Sequence, residues 1–235
     1  MASKVSRKKL LREPDEFLSF SGKALQWSRE NLRVILYAAA GVTAAVVAVV
    51  GFWAWLEHRE IQGAEAMAQA FGEYTRAVEG QAGPEELAQA RRQLDQVVQE
   101  YGSTPAGLQA RLALGDLLLE KGSYAEAEKL LAGLAEESDA PPEIIALAWH
   151  GLGVAREGQQ RFSQAAQAYA RARELAGPAL AAMYLLDQAR ALEGAGQKAR
   201  AAQLYREVLD QQEDSERRLQ ARARLVALGE DPGGK

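Results

Sequence analysis

The 235-residue chain contains no cysteine and only two histidines, His58 and His150. Without thiols there is no disulfide framework, no thiolate metal site and no lipid-bearing cysteine. Two imidazoles so far apart in sequence give no recognisable zinc site. A G-x-S-x-G elbow, a phosphate loop and a dinucleotide fingerprint are all missing. The chain therefore reads as a non-enzyme with no cofactor, no metal ion and no small-molecule substrate. A basic excess is also lacking: the net charge is −4, which argues against nucleic acid as a partner. Long β-branched runs are absent outside one segment, and Ala, Leu, Glu, Gln and Arg, all good helix formers, dominate the rest.

The one exception is residues 34–56, VILYAAAGVTAAVVAVVGFWAWL, 23 residues without a charge. As a helix this run spans roughly 34 Å at about 1.5 Å per residue, enough for a hydrocarbon core of about 30 Å. Residues 1–33 carry eight basic side chains (Lys4, Arg7, Lys8, Lys9, Arg12, Lys23, Arg29, Arg33) against four acids, and residues 57–235 carry a net charge of −8. Basic flanks stay on the cytoplasmic side, so the expected topology is N-terminus inside and C-terminus outside. Trp27 before the run, and Phe52, Trp53 and Trp55 at its far end, suit the two interfacial belts. A cleaved signal peptide fits less well. Its apolar core is usually 7–15 residues and ends in a small-residue site, whereas this run is longer and ends in FWAWL.

The expected division is a basic cytoplasmic tail over 1–33, a transmembrane helix over 34–56, a linking helix over 57–79, a repeat domain over 70–228 with a capping helix at its end, and a disordered tail over 229–235. In the N-terminal tail Phe17, Leu18, Phe20, Leu25 and Trp27 alternate with charge. It is either a solvated topology signal or an amphipathic docking segment for a membrane partner or anionic lipid. Within the apolar run, Ala40, Ala44 and Ala48 recur every fourth residue with Gly41 and Ala45 beside them. Small residues at that spacing permit close helix–helix approach in lipid.

Beyond the run the chain is periodic. Residues 148–175 read AWHGLGVAREGQQRFSQAAQAYARAREL. Trp149, Leu152, Gly153, Phe162, Ala165, Tyr169 and Ala172 are spaced so that small residues on two helices meet and large ones fill the space beside them. The spacing resembles the tetratricopeptide repeat, at consensus positions 4, 7, 8, 17, 20, 24 and 27. Leu114, Gly115, Gly122, Tyr124, Ala127 and Leu131 fit the same frame. So do Ala189, Ala201, Tyr205 and Val208, and more weakly Ala90, Leu94, Val97 and Tyr101. The position-20 alanines Ala90, Ala127, Ala165 and Ala201 are 37, 38 and 36 residues apart, against a typical period of about 34. Pro84, Pro105, Pro142 and Pro178 stand where helices should begin. Ser123 with Glu126 reads as a capping box. Gly122 and the EGAG stretch read as helix ends. The expected fold class is all-α: a single N-terminal transmembrane helix followed by a tetratricopeptide α-solenoid, with residues 215–228 as its cap.

In that frame the concave face draws on consensus positions 2, 5, 9 and 12. These are Gln109, Leu112, Asp116 and Leu119, then Leu147, His150, Val154 and Glu157, then Met183, Leu186, Arg190 and Glu193. The surface is apolar with acidic points and suits a protein or peptide partner, as an extended or helical segment with apolar anchors and some positive charge. The alternative is that some of these leucines simply pack between helices. The Lys and Asn pattern of carboxylate-clamp repeats is absent.

One bacterial family combines these parts. The phrase SGKAL in a basic tail, the single anchor, the segment ARLALGDLLLEKGSYAEAEKLL and the helix QAAQAYARARE are similar to the ancillary subunit of the Sec translocon. The resemblance implies an anchor associated with an inner-membrane protein complex in the lipid bilayer. It also implies a periplasmic repeat domain that meets exported chains and chaperones. The competing reading is an envelope-assembly module, in cytochrome c maturation or in Tol–Pal-linked division.

Overall fold

The computed structural model describes residues 16–79, 83–211 and 215–231. Among these are ten helices and no strand. They are α1 (Glu16–Glu30), α2 (Leu32–Glu79), α3 (Pro84–Tyr101), α4 (Pro105–Glu120), α5 (Tyr124–Ala135), α6 (Pro142–Gly158), α7 (Phe162–Leu175), α8 (Pro178–Gly194), α9 (Lys198–Gln211) and α10 (Ser215–Ala227). Lys4, Arg7, Lys8, Lys9 and Arg12 of the tail, the side chains of Phe17, Leu18 and Phe20, and residues 232–235 lie outside the described residues. The chain divides into two compact units, Met1–Glu57 and His58–Lys235.

In the first unit, Asn31 bridges α1 and α2. Its backbone N–H and its Nδ2 both donate to the Trp27 carbonyl at 2.9 Å, and its own carbonyl accepts from Ile35 at 3.0 Å. From Leu32 onward α2 is long and apolar enough to cross a membrane, and none of its most apolar window is buried by other protein. The Thr43 hydroxyl is satisfied internally: its Oγ1 donates to the Ala39 carbonyl at 2.9 Å. Ala40, Gly41, Ala44, Ala45 and Ala48 are all exposed.

The second unit is a stack of helix pairs. Each first helix begins at a proline, which needs no partner for a missing N–H: Pro105 in α4, Pro142 in α6 and Pro178 in α8; Pro84 opens α3 in the same way. Each first helix also ends in the same turn. Ser123 N–H reaches the Leu118 carbonyl, Arg161 N–H the Arg156 carbonyl and Gln197 N–H the Leu192 carbonyl, at 2.8–2.9 Å. This six-to-one bond closes a helix through one left-handed residue. Gly122 (φ 72°) and Gly196 (φ 75°) supply that residue in two pairs, and Gln160 (φ 61°) in the third. The connections between pairs vary more, from 136–141 after α5 to 176–177 after α7.

One local expectation is corrected. Ser123 does not form a capping box, because its side chain makes no cap hydrogen bond; at φ −79° and ψ 53° its backbone departs from the extended geometry usual at that site. The reciprocal contact occurs at α3, where the Gly83 N–H donates to Glu86 at 3.0 Å. At α4, buried Thr104 caps by accepting from the Gly107 N–H at 3.3 Å.

Packing follows the sequence frame. Ala90, Ala127, Ala165 and Ala201 are each 0% exposed. Tyr169, Tyr205 and Leu131 fill the space beside them and are fully buried. The far part of α2 joins the stack through buried Gly63, Met67 and Ala70. At Gly63 a Cβ would meet Tyr101 and Thr104 at 3.2 Å. Arg59 anchors the same stretch by donating to the Glu100 carbonyl at 2.8 Å.

Two stability predictions come from this packing. At Gly153 a Cβ would collide with the Tyr169 ring, whereas at Gly133 it would meet open space. Gly153→Leu should cost on the order of 1–3 kcal/mol or more, and Gly133→Ala should stabilise by about 0.5–1 kcal/mol, both read from melting of the helical signal. Gln160→Gly removes the cost of a left-handed side chain, on the order of 1 kcal/mol. It should raise the melting temperature slightly, and Gln160→Val should lower it.

Candidate protein-interaction groove

Helices α4, α6 and α8 carry the candidate groove residues at a spacing that puts them on one stripe of each helix. Gln109, Leu112, Asp116 and Leu119 lie on α4, Leu147, His150, Val154 and Glu157 on α6, and Met183, Leu186, Arg190 and Glu193 on α8. All are exposed or half-buried. Leu112, Leu119, Val154, Leu186 and Met183 also lean on the core clusters beneath them. The same side chains thus serve packing and surface.

The stripe has two chemically different ends. At the first end, Gln109, Leu112, Asp116 and Leu147 converge on a cavity of about 680 Å³. Its opposite wall is α2, through Glu60, Ala64, Met67, Ala68, Phe71 and Tyr74, and Ile144 closes it from α6. Phe71 is 50% exposed and Leu147 38%, so large apolar surface stands open there. The sequence reading missed the α2 wall. The signal was present: Ala64, Met67, Ala68 and Phe71 follow the i, i+3, i+4, i+7 pattern of an apolar helix face. Burial raises the Asp116 carboxyl above its ordinary range, with His150 opposing the rise and Glu120 adding to it. The Tyr74 phenol is pushed up to about 12, by burial first and then by Asp116 and Glu120.

At the other end, charges are paired within the chain. Glu157 accepts from Arg190 Nε at 3.0 Å, from Arg190 Nη2 at 3.1 Å and from the Tyr169 hydroxyl at 2.9 Å. Arg190 Nη1 lies 3.0 Å from Asp187, whose other oxygen is 3.2 Å from His150 Nε2. The His150 ring stacks on Tyr184, with centroids 4.7 Å apart. The next pair repeats the motif, with the Tyr205 hydroxyl donating to Glu193 at 2.9 Å and Arg224 at 3.7 Å from the same carboxylate. Burial is the first cause raising the Tyr169 and Tyr205 phenols, and their carboxylate partners add to it. The hydrogen bond to Glu157 holds the Arg190 guanidinium more firmly charged. Glu157 and Glu193 are therefore not free acidic points. Sequence spacing could not pair residues 33 apart without knowing that α6 and α8 are neighbours.

Among the described residues no group of His, Asp and Glu is arranged to hold a metal ion. Chemically the arrangement offers an apolar receptacle with an acidic rim beside a neutralised polar floor. Glu157→Ala would leave the Tyr169 hydroxyl and the Arg190 guanidinium without their acceptor. It should destabilise the repeats by about 1–3 kcal/mol, and Glu157→Gln, which keeps an acceptor, should cost less; thermal melting measures both.

Residues 26–149 match the family model of a tetratricopeptide repeat-like domain, and residues 150–216 match that of a tetratricopeptide repeat. A crystal structure of nearly identical TPR-like repeats from Podospora anserina, described as a kinesin light chain, is similar over 71% of this chain and 86% of that one. Its TM-score is 0.58 and its sequence identity 19%, a likeness of fold alone. No curated protein matches. The first family match takes in more than half of the chain; together with the helix pairs, their shared turns and the buried small residues, it places the chain in the tetratricopeptide repeat-like family, whose fold typically serves as a protein-interaction scaffold.

Proposed function

We propose that the chain is a membrane-anchored interaction scaffold at the outer face of the bacterial inner membrane. Its repeat groove receives translocon components, exported clients or periplasmic chaperones. The observation that carries this reading is the open apolar cavity at the α4 and α6 end of the groove, about 680 Å³ in volume. A cavity of this kind, walled by large side chains and rimmed by a few polar ones, is a binding surface rather than a core defect. Support for the membrane comes from the uncovered apolar stretch of α2 and the basic excess before it, which favours an N-terminus on the cytoplasmic side. The first family match begins at Gln26 and so includes the apolar run.

The test is site-specific photocrosslinking in intact bacterial cells, from Ala44 in the apolar run and from Leu147 at the cavity. Translocon subunits at Ala44 with exported chains or chaperones at Leu147 are the expected products. Haem-maturation or Tol–Pal proteins at both sites would reject this reading in favour of envelope assembly. Phe71→Glu, on the half-exposed α2 wall of the cavity, should reduce the Leu147 products while leaving the helical signal and melting intact, whereas Leu112→Glu with Leu186→Glu should reduce them and also lower the melting temperature, because both leucines pack on the core.

A further inference from the structure

The charges of the groove are not evenly neutralised, and that asymmetry selects a ligand chemistry. At the α8 end every acidic groove candidate has a basic partner in the chain: Glu157 has Arg190, and Glu193 has Arg224. Asp187 is likewise held by Arg190 and His150. At the cavity the pattern reverses. Glu60 and Asp116 both line it, and Glu120 lies near enough to act on Asp116 and Tyr74. Among the described residues none of these three carboxylates has a lysine or arginine at ion-pair distance, and His150, which acts on Asp116 from further off, is itself held by Asp187. The cavity therefore joins exposed apolar surface, at Phe71 and Leu147, to a negative rim with no lysine or arginine of the chain paired to it.

The backbone of an occupant is constrained as well. Apart from its carboxylates the lining offers few polar groups, chiefly Gln109 and the Tyr74 hydroxyl. An extended chain would bring unpaired N–H and C=O groups against apolar walls, which is costly. A helix satisfies its own backbone and presents only side chains, and the walls α2, α4 and α6 are themselves helices that receive neighbours in this way.

Resting on the scaffold reading above, we propose that the cavity between α2, α4 and α6 docks an amphipathic helix of a partner protein, with large apolar side chains on the buried face and lysine or arginine beside them. The apolar residues seat against Met67, Phe71, Leu112 and Leu147. The cations meet Glu60 and Asp116. This is helix-in-groove recognition, with register set by the charges and most of the affinity by apolar burial.

The probe is a fluorescent synthetic helix with leucines at i, i+3, i+4 and i+7 and lysines along both edges, paired with an otherwise identical peptide carrying glutamates instead. Binding is measured by anisotropy on the full chain in phosphatidylcholine nanodiscs, with empty nanodiscs subtracted. The lysine peptide should bind, the glutamate peptide about tenfold more weakly or worse, and the difference should shrink as salt is raised. Phe71→Ala should weaken the lysine peptide. Glu60→Lys with Asp116→Lys should invert the preference; that gain for the glutamate peptide cannot come from unfolding. Equal affinity for both peptides, no binding of the lysine peptide, or a preference unmoved by the charge reversal overturns the proposal. Crosslinks from Leu147 that persist when the lysine peptide fails to bind would sink this ligand chemistry alone and leave the scaffold reading standing. Loss of those crosslinks as well would remove both.

Discussion

The whole repeat stack depends on large side chains meeting the backbone of a neighbouring helix. A Cβ added at Gly115 would lie 2.6 Å from Leu131, and one added at Gly153 would press on Tyr169. The contact recurs between successive pairs: a Cβ at Gly158 would sit 2.5 Å from Tyr124, and one at Gly194 2.7 Å from Phe162. Each large residue thus occupies space that only a missing side chain leaves open. Interiors packed to crystal-like density tolerate little else. The spacing of these contacts fixes the distance between helices within a pair and between pairs, and so sets where each first helix presents its other face.

That geometry carries the core outward to the groove. Tyr169 is 0% exposed and packs on Gly153, yet its hydroxyl reaches Glu157. Tyr205 reaches Glu193 in the same way. In the earlier pair Leu131 stands where these tyrosines stand and Leu119 where the glutamates do, so no polar bond forms there. One aromatic-to-aliphatic change at a buried position therefore accompanies the shift from a paired polar floor to an apolar cavity. The far part of α2 then supplies the second wall, because Met67 and Ala70 are buried in the core cluster of the first pairs and thereby hold Phe71 and Tyr74 at the cavity edge.

Much of the fold was legible because each signal acts locally. The prolines start helices wherever the chain goes, and the small-residue spacing survives insertions in the connections between pairs. The capping box at Ser123 failed because the preceding left-handed glycine sets the backbone before a serine side chain can act. Gln160 in a left-handed turn was not anticipated, since nothing about glutamine suggests that conformation; the tertiary repeat imposes it. The groove candidates were legible as a stripe of positions. Their partners were not, since Arg190 reaches Glu157 only across the gap between two stacked helices.

The sequence by itself determined the helices, their proline starts and glycine ends, the small-to-large register of the core and the single long apolar run. All of these follow from side-chain size, backbone freedom and transfer out of water, which act over a few residues. Tertiary structure alone decided which acids are neutralised, which remain open, and that α2 walls a cavity with α4 and α6, which follow it by roughly forty and eighty residues. Charge pairing and cavity shape depend on distances between separate helices, and those exist only once the stack has closed.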